Sequence, residues 1–157
     1  MSATPAAVFN EQTIRVFVDS AAHYFKTNTP HAVELGSPYL SRSEPALLDY
    51  TGLIGISGRF HGCVYFTASA NLVHQLLRDM GEAADNEELH LDLVGEIANI
   101  LSGNARAVFG KDFMISVPVS FKGRPERIRM PKSVDPYVIP LHWQRKPATV
   151  VVCVEHE

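Results

Sequence analysis

Apolar residues at positions 14, 17, 18, 21, 22 and 25 fall at helical spacing behind Asn10, a good N-cap. They predict a helix over Glu11 to Lys26, ended by Asn28-Thr29-Pro30. Residues 31–46, broken by Gly36, Pro38 and Pro45, read as extended or irregular. Leu47 to Ser57 and Cys63 to Thr67 read as strands around Gly58-Arg59-Phe60-His61-Gly62, a glycine-bounded hairpin signal. Ser69 or Asn71 caps a short helix, Leu72 to Met80, stopped by Gly81, and an acidic loop from Glu82 to Asn86 follows. A long helix is predicted from about Glu87 to Phe109, ended by Gly110. At about 1.5 Å per residue it spans roughly 34 Å. Ile115, Val117, Val119 and Phe121 alternate within a strand at 114–122, where Pro118 requires an edge position or a bulge. Tyr137 to Gln144 and Ala148 to Glu155 close the chain as a strand pair. Hairpin-linked strands with grouped helices define an α+β class with a largely antiparallel sheet, in one domain over 1–157.

The long helix carries two different stripes. Leu93, Ile97, Ile100, Leu101 and Val108 make an apolar stripe that predicts one face in a core. Asp92, Glu96, Asn99, Gly103 and Arg106 recur at intervals of four, three, four and three, which keeps them together on another face. An ordinary solvated face would carry Lys, Glu and Ala. This one sets a carboxylate and a carboxamide one turn apart. Gly95 and Gly103 within a helix each cost about 1 kcal/mol relative to alanine. Small residues at 95, 98, 102, 103 and 105 let another backbone approach, either a partner's or a strand or helix of this chain.

Composition narrows the classes. The chain has 157 residues, 46% hydrophobic and 20% charged, as expected of a soluble globular protein that can bury its own core. A net charge of −3 gives no basic footprint for nucleic acid. No apolar run approaches the roughly 18 residues of a membrane span, and the N-terminus lacks signal-peptide features. Two cysteines, Cys63 and Cys153, without a CxxC spacing fit reduced, strand-borne thiols in a cytoplasmic protein.

Other chemistries find little support. The seven histidines include His61 and Cys63, which could share a strand face, and His142 on a strand, while His31, His74, His90 and His156 are scattered. No metal-ligand motif appears, so no metal is expected on this chain. Neither cysteine has a nearby helix N-terminus or basic cluster to activate it, and Gly55-Ile56-Ser57-Gly58 misses the nucleophile-elbow spacing. The glycines at 52, 55, 58 and 62 precede a strand and do not form a phosphate loop. Lys111, Lys122, Arg124, Arg127, Arg129 and Lys132 enrich one region in positive charge, as a solvated loop or a face for an acidic partner.

At Asp92-x-x-x-Glu96-x-x-Asn99, followed by Ser102-Gly103-Asn104-Ala105, the chain resembles the CheC/CheX/FliY phosphatase family of bacterial chemotaxis. The CheX branch is the most similar. The glycine-punctuated hairpin Gly52 to Phe66 and the closing strand pair are also CheX-like. Only one copy of the motif is present, whereas CheC-type members often carry two. The family pattern continues to a proline a little over twenty residues past the Asn. Here Pro118 follows with eighteen residues between and Pro125 with twenty-five.

The resemblance implies a substrate, the phosphorylated aspartate of a response-regulator receiver domain such as CheY. It implies that Asn99 positions the attacking water and that Glu96 pairs with the receiver's active-site lysine. Mg2+ would be held by the receiver and no cofactor by this chain. Gly103 would permit close docking, with Asp92 and Arg106 at the rim. It also implies a homodimer formed through the sheets, for which the apolar run Val150 to Val154 offers one surface and the monomer's own central strand the alternative reading. Two competitors stand beside the phosphatase: a CheX-like adaptor that binds a receiver without hydrolysis, and a component of the flagellar switch.

Overall fold

The computed structural model describes residues 10–124 and 134–156. Helix α1 (Glu11–Asn28) starts at Asn10, whose side chain accepts from the backbone N–H groups of Gln12 and Thr13 at 2.8 and 3.1 Å. Thr13 Oγ1 answers by accepting from the Asn10 N–H at 2.7 Å, which completes a capping box. Two two-residue strands, β1 (Glu34–Leu35) and β2 (Tyr39–Leu40), occupy the segment expected to be irregular. The hairpin β3 (Tyr50–Gly58) and β4 (Phe60–Ala68) turns more tightly than the five-residue link read from the glycines. Gly58 at φ +94° carries that turn.

Ser69, not Asn71, caps α2 (Ala70–Asp79), and Gly81 follows at φ +86°. Asn86 caps α3 (Glu87–Phe109), accepting from the Leu89 N–H at 2.9 Å, and Gly110 ends it at φ +97°. The predicted strand at 114–122 is two strands, β5 (Phe113–Ile115) and β6 (Val119–Lys122). Both pair with β3, and the register slips by one residue between them, so Pro118 sits in a break of the bulge type. Ser116 Oγ accepts from the Gly55 N–H at 2.8 Å there and fills the gap in the ladder. β7 (Tyr137–Trp143) and β8 (Lys146–His156) join through Gln144 and Arg145, both at positive φ, the signature of a two-residue hairpin turn.

The eight strands form one antiparallel sheet in the order β1-β7-β8-β4-β3-β5, with β2 also on β7 and β6 also on β3. Strand alternation splits its side chains between two clusters. Val64, Phe66, Val150, Val152 and Val154 join the main core beneath the helices. Cys63, Tyr65, Val138, Val151 and Cys153 make a smaller cluster on the opposite face. β8 lies between β7 and β4, so the run Val150 to Val154 is buried inside the monomer's own sheet. It offers no surface to a second copy.

Candidate functional site

α3 is seated on β3 by a glycine. A Cβ on Gly52 would lie 2.2 Å from the Val94 carbonyl oxygen and 2.7 Å from the Gly95 nitrogen, so the helix backbone rests directly on the strand. Leu93, Val94, Ile97, Ala98 and Leu101 are buried in that contact. Ile100 is only partly buried, and Val108, expected in the apolar stripe, is 63% exposed. It lies in the last turn, where Phe109 and not Val108 packs on Phe60 and Phe113.

The other stripe is presented outward. Asp92, Glu96, Asn99 and Arg106 are exposed and Gly103 is half-buried. Among the described residues, the side chains of Glu96 and Asn99 make no hydrogen bond or ion pair within the chain. An exposed carboxylate and amide, one turn apart on a fixed helix, are placed to engage an incoming group. Asn104, by contrast, is committed: its Nδ2 donates to the buried Ser20 Oγ at 2.6 Å and ties α3 to α1.

The small residues divide the same way. Gly95, Ala98, Ser102 and Ala105 are buried against the protein's own elements. A Cβ on Gly95 would lie 2.6 Å from Ser120 Oγ and 3.5 Å from Pro118 Cβ. Pro118 therefore packs on the turn that carries Glu96. Gly103 differs, because an added Cβ would meet nothing within 4 Å. Packing explains Gly95 and leaves Gly103 unexplained.

Sequence reasoning missed the neighbours of Glu96. Tyr24 on α1 is buried, and its phenol is held above its ordinary pKa first by burial and then by the nearby Glu96 carboxylate. Its OH donates to Met80 Sδ at 3.8 Å, and Met80 is 39% exposed. A neutral phenol and a soft thioether thus border the acid. Tyr24 lies one position before Phe25 on the apolar face of α1, where an aromatic reads as core, so no local signal marks it.

The histidines also need correction. His74 and His90, which look scattered along the chain, are brought together with Asp85 where α2 turns back into α3. His61 is exposed whereas Cys63 is buried. Cys63 and Cys153 are cross-strand neighbours, neither in a disulfide, and burial pushes their thiols up to about 12 and about 11. Neither is poised as a nucleophile. Of the basic cluster, Lys122 pairs with Glu87 at 3.1 Å, while Arg127, Arg129 and Lys132, and Pro125, lie outside the described residues.

Fold and site together define an α+β protein that offers an exposed acid and amide from one face of a buried-backed helix. The sequence profile described as "Chemotaxis phosphatase CheX" matches residues 50–142, which span the hairpin, α2, α3 and β7. The chain belongs to the CheX family. It is similar to the solved chemotaxis protein CheX from Vibrio vulnificus, at 27% identity and a TM-score of 0.79, covering 92% of this chain and 99% of that one. A putative chemotaxis protein from Desulfovibrio vulgaris Hildenborough is 25% identical with a TM-score of 0.81, over 95% and 100% of the two chains. A CheX–CheY–BeF3–Mg2+ complex from Borrelia burgdorferi matches in fold at 17% identity and a TM-score of 0.75, over 94% and 100%. Among curated proteins, no match to this chain is found. No described helix is long and apolar enough to cross a membrane.

Proposed function

We propose that this chain hydrolyses the aspartyl phosphate of a CheY-like receiver domain. The observation that carries the reading is the joint exposure of Glu96 and Asn99, neither with a hydrogen bond or ion pair among the described residues, on a helix whose other face is buried. Membership of a chemotaxis phosphatase family and a CheX relative in complex with CheY support the partner class.

An acyl phosphate is already activated, so its hydrolysis needs a placed water more than a strong base. The Asn99 amide oxygen accepts a hydrogen bond from water while its NH2 donates to the phosphate, which fixes the water for in-line attack. A glutamine does the equivalent work in GTPases. Glu96 accepts a charge-assisted bond from the receiver's lysine and so aligns α3 with the reacting centre. Mg2+ belongs to the receiver. Asp92 and Arg106 lie along the same ridge, where they act as rim contacts, and Gly103 permits close approach.

Phosphate release from phosphorylated receivers tests this directly. Asn99→Ala is expected to lower the stimulated rate by at least about 100-fold, with stability within about 0.5 kcal/mol because the side chain is exposed. An unchanged rate removes the catalytic role. Glu96→Lys is expected to weaken receiver binding, and undiminished binding removes the anchor. If the wild-type protein binds receivers from a panel without accelerating any, the adaptor reading replaces the phosphatase.

We also place the protein in the cytoplasm as a homodimer. The surface that suits a second copy is the β5–β6 edge, where Met114, Val117 and Val119 are 50%, 80% and 58% exposed beside unpaired strand backbone.

A further inference from the structure

Away from the α3 ridge, three ligand-bearing side chains from three successive segments converge. His74 comes from α2, Asp85 from the connecting loop and His90 from the first turns of α3. Asp85 Oδ2 lies 2.6 Å from His74 Nδ1, and its Oδ1 lies 2.5 Å from His90 Nε2. One ligand atom from each residue falls within 4.8 Å of the other two. We propose that His74, Asp85 and His90 form a binding site for a divalent transition metal of zinc-like ligand preference.

The donor set decides the class. Two imidazole nitrogens and one carboxylate suit Zn2+ and its neighbours, whereas Mg2+ and Ca2+ select oxygen. Three protein ligands leave a fourth position, and His74 and Asp85 line a cleft of about 420 Å3 together with Arg78, Gly81 and Glu82. That leaves room for a water or an external ligand. The His90 ring is held in place by the fold: it meets Tyr50 edge to face at 5.0 Å. Its Nε2 faces the cluster, and its Nδ1, buried with no hydrogen-bond partner among the described residues, would carry the ring proton once a metal is bound.

Metal-free, the cluster is a hydrogen-bonded one. A carboxylate can only accept, so both facing nitrogens carry protons. Binding moves each of those protons to the far nitrogen of its ring. For His74 the far nitrogen faces Arg78 Nη1 at 3.4 Å, and exposed Arg78 turns to solvent when that nitrogen becomes a donor. Ligand atoms around a tetrahedral ion stand about 3.3 Å apart. The two Asp–His contacts, at 2.6 and 2.5 Å, therefore lengthen by under about 1 Å, which the exposed loop before Asn86 supplies, while the exposed His74 ring adjusts its distance to His90. The ion would clamp the end of α2 to the start of α3, just before the ridge that begins at Asp92.

The test uses the full chain stripped with EDTA, then titrated with Zn2+ alone by calorimetry and thermal denaturation. One equivalent should bind, and saturating Zn2+ should raise Tm by about 5 °C or more. Both effects should be lost in His74→Ala and Asp85→Asn, which alter side chains 38% and 43% exposed and so leave the fold intact. Co2+ in place of Zn2+ should give visible bands of nitrogen and oxygen ligation. The proposal fails if no equivalent binds, if the variants bind and stabilise like the parent, or if the Co2+ spectrum shows thiolate ligands.

Discussion

Gly103→Ala separates what the fold needs from what the ridge does. Position 103 is helical and half-buried, and a methyl group there would meet nothing within 4 Å. Replacing glycine by alanine inside a helix removes backbone freedom from the unfolded chain and is worth about 1 kcal/mol. For a chain of this size, that raises Tm by about 2–4 °C. The variant should therefore be more stable than the parent. The same methyl projects into the space a docking receiver would enter. Overpacking at a tight contact costs about 1–3 kcal/mol, which corresponds to about a 5- to 150-fold loss in kcat/KM.

Thermal denaturation and phosphate release on one preparation give both readings. A rise in Tm with a fall in kcat/KM supports close docking at Gly103. A rise in Tm with unchanged kcat/KM would refute a tight contact there, and a fall in Tm would refute the open-space argument. Gly95→Ala is the control. Its Cβ meets Ser120 Oγ at 2.6 Å, so the Ser120 hydroxyl must turn away and the propensity gain is reduced, and the stabilisation should be smaller than at Gly103.

Gly52→Ala should destabilise by at least about 1–3 kcal/mol, because a Cβ 2.2 Å from the Val94 oxygen forces α3 off the sheet; a variant with parental Tm would contradict the seating described. Iodoacetamide near pH 8 should leave Cys63 and Cys153 unlabelled in the native protein and label both on unfolding, since burial holds their thiols at about 12 and about 11. Native labelling at the rate of free cysteine would sink that reading. The Asp85 carboxyl is held below its ordinary value of 3.8, first by the hydrogen bond from His90 and then by His74. A depressed carboxylate contributes stability above its unfolded pKa and loses it as pH falls through the folded one. Tm should therefore drop more steeply below about pH 4 in the parent than in Asp85→Asn; equal slopes would exclude the clasp.

Local signals in the chain carried most of the elements. Asn10 caps as its position implies, Gly81 and Gly110 adopt the positive φ that ends a helix, and α3 matches its predicted bounds. The exposed stripe at 92, 96, 99, 103 and 106 was legible because helical period alone decides it. What escaped depends on distant partners. β1 and β2 are two residues each, too short for alternation, and exist only because β7 offers an edge. The split at Pro118 depends on the register of β3, and the reason for Gly95 is Ser120, twenty-five residues away. Val108 fits the apolar period, yet it is exposed while Phe109 takes the core side of the same turn, a choice between neighbours that periodicity alone does not make. His74, Asp85 and His90 meet only because α2 and α3 fold back on each other.

The ridge and the core of α3 are two halves of one requirement. The proposed hydrolysis needs a water held in line with the scissile bond, and displacement of about 1 Å can cost 100-fold in rate. Glu96 and Asn99 are short side chains on exposed turns, so their accuracy is that of the helix axis beneath them. That axis is fixed by Gly52 under the Val94–Gly95 peptide, by Pro118 against the same turn and by the Asn104–Ser20 bond to α1. None of these contacts touches a substrate, yet each fixes the height, tilt or rotation of the residues that would. Loosening any one should therefore lower kcat more than it lowers receiver affinity, because docking tolerates a helix that shifts slightly and in-line attack does not.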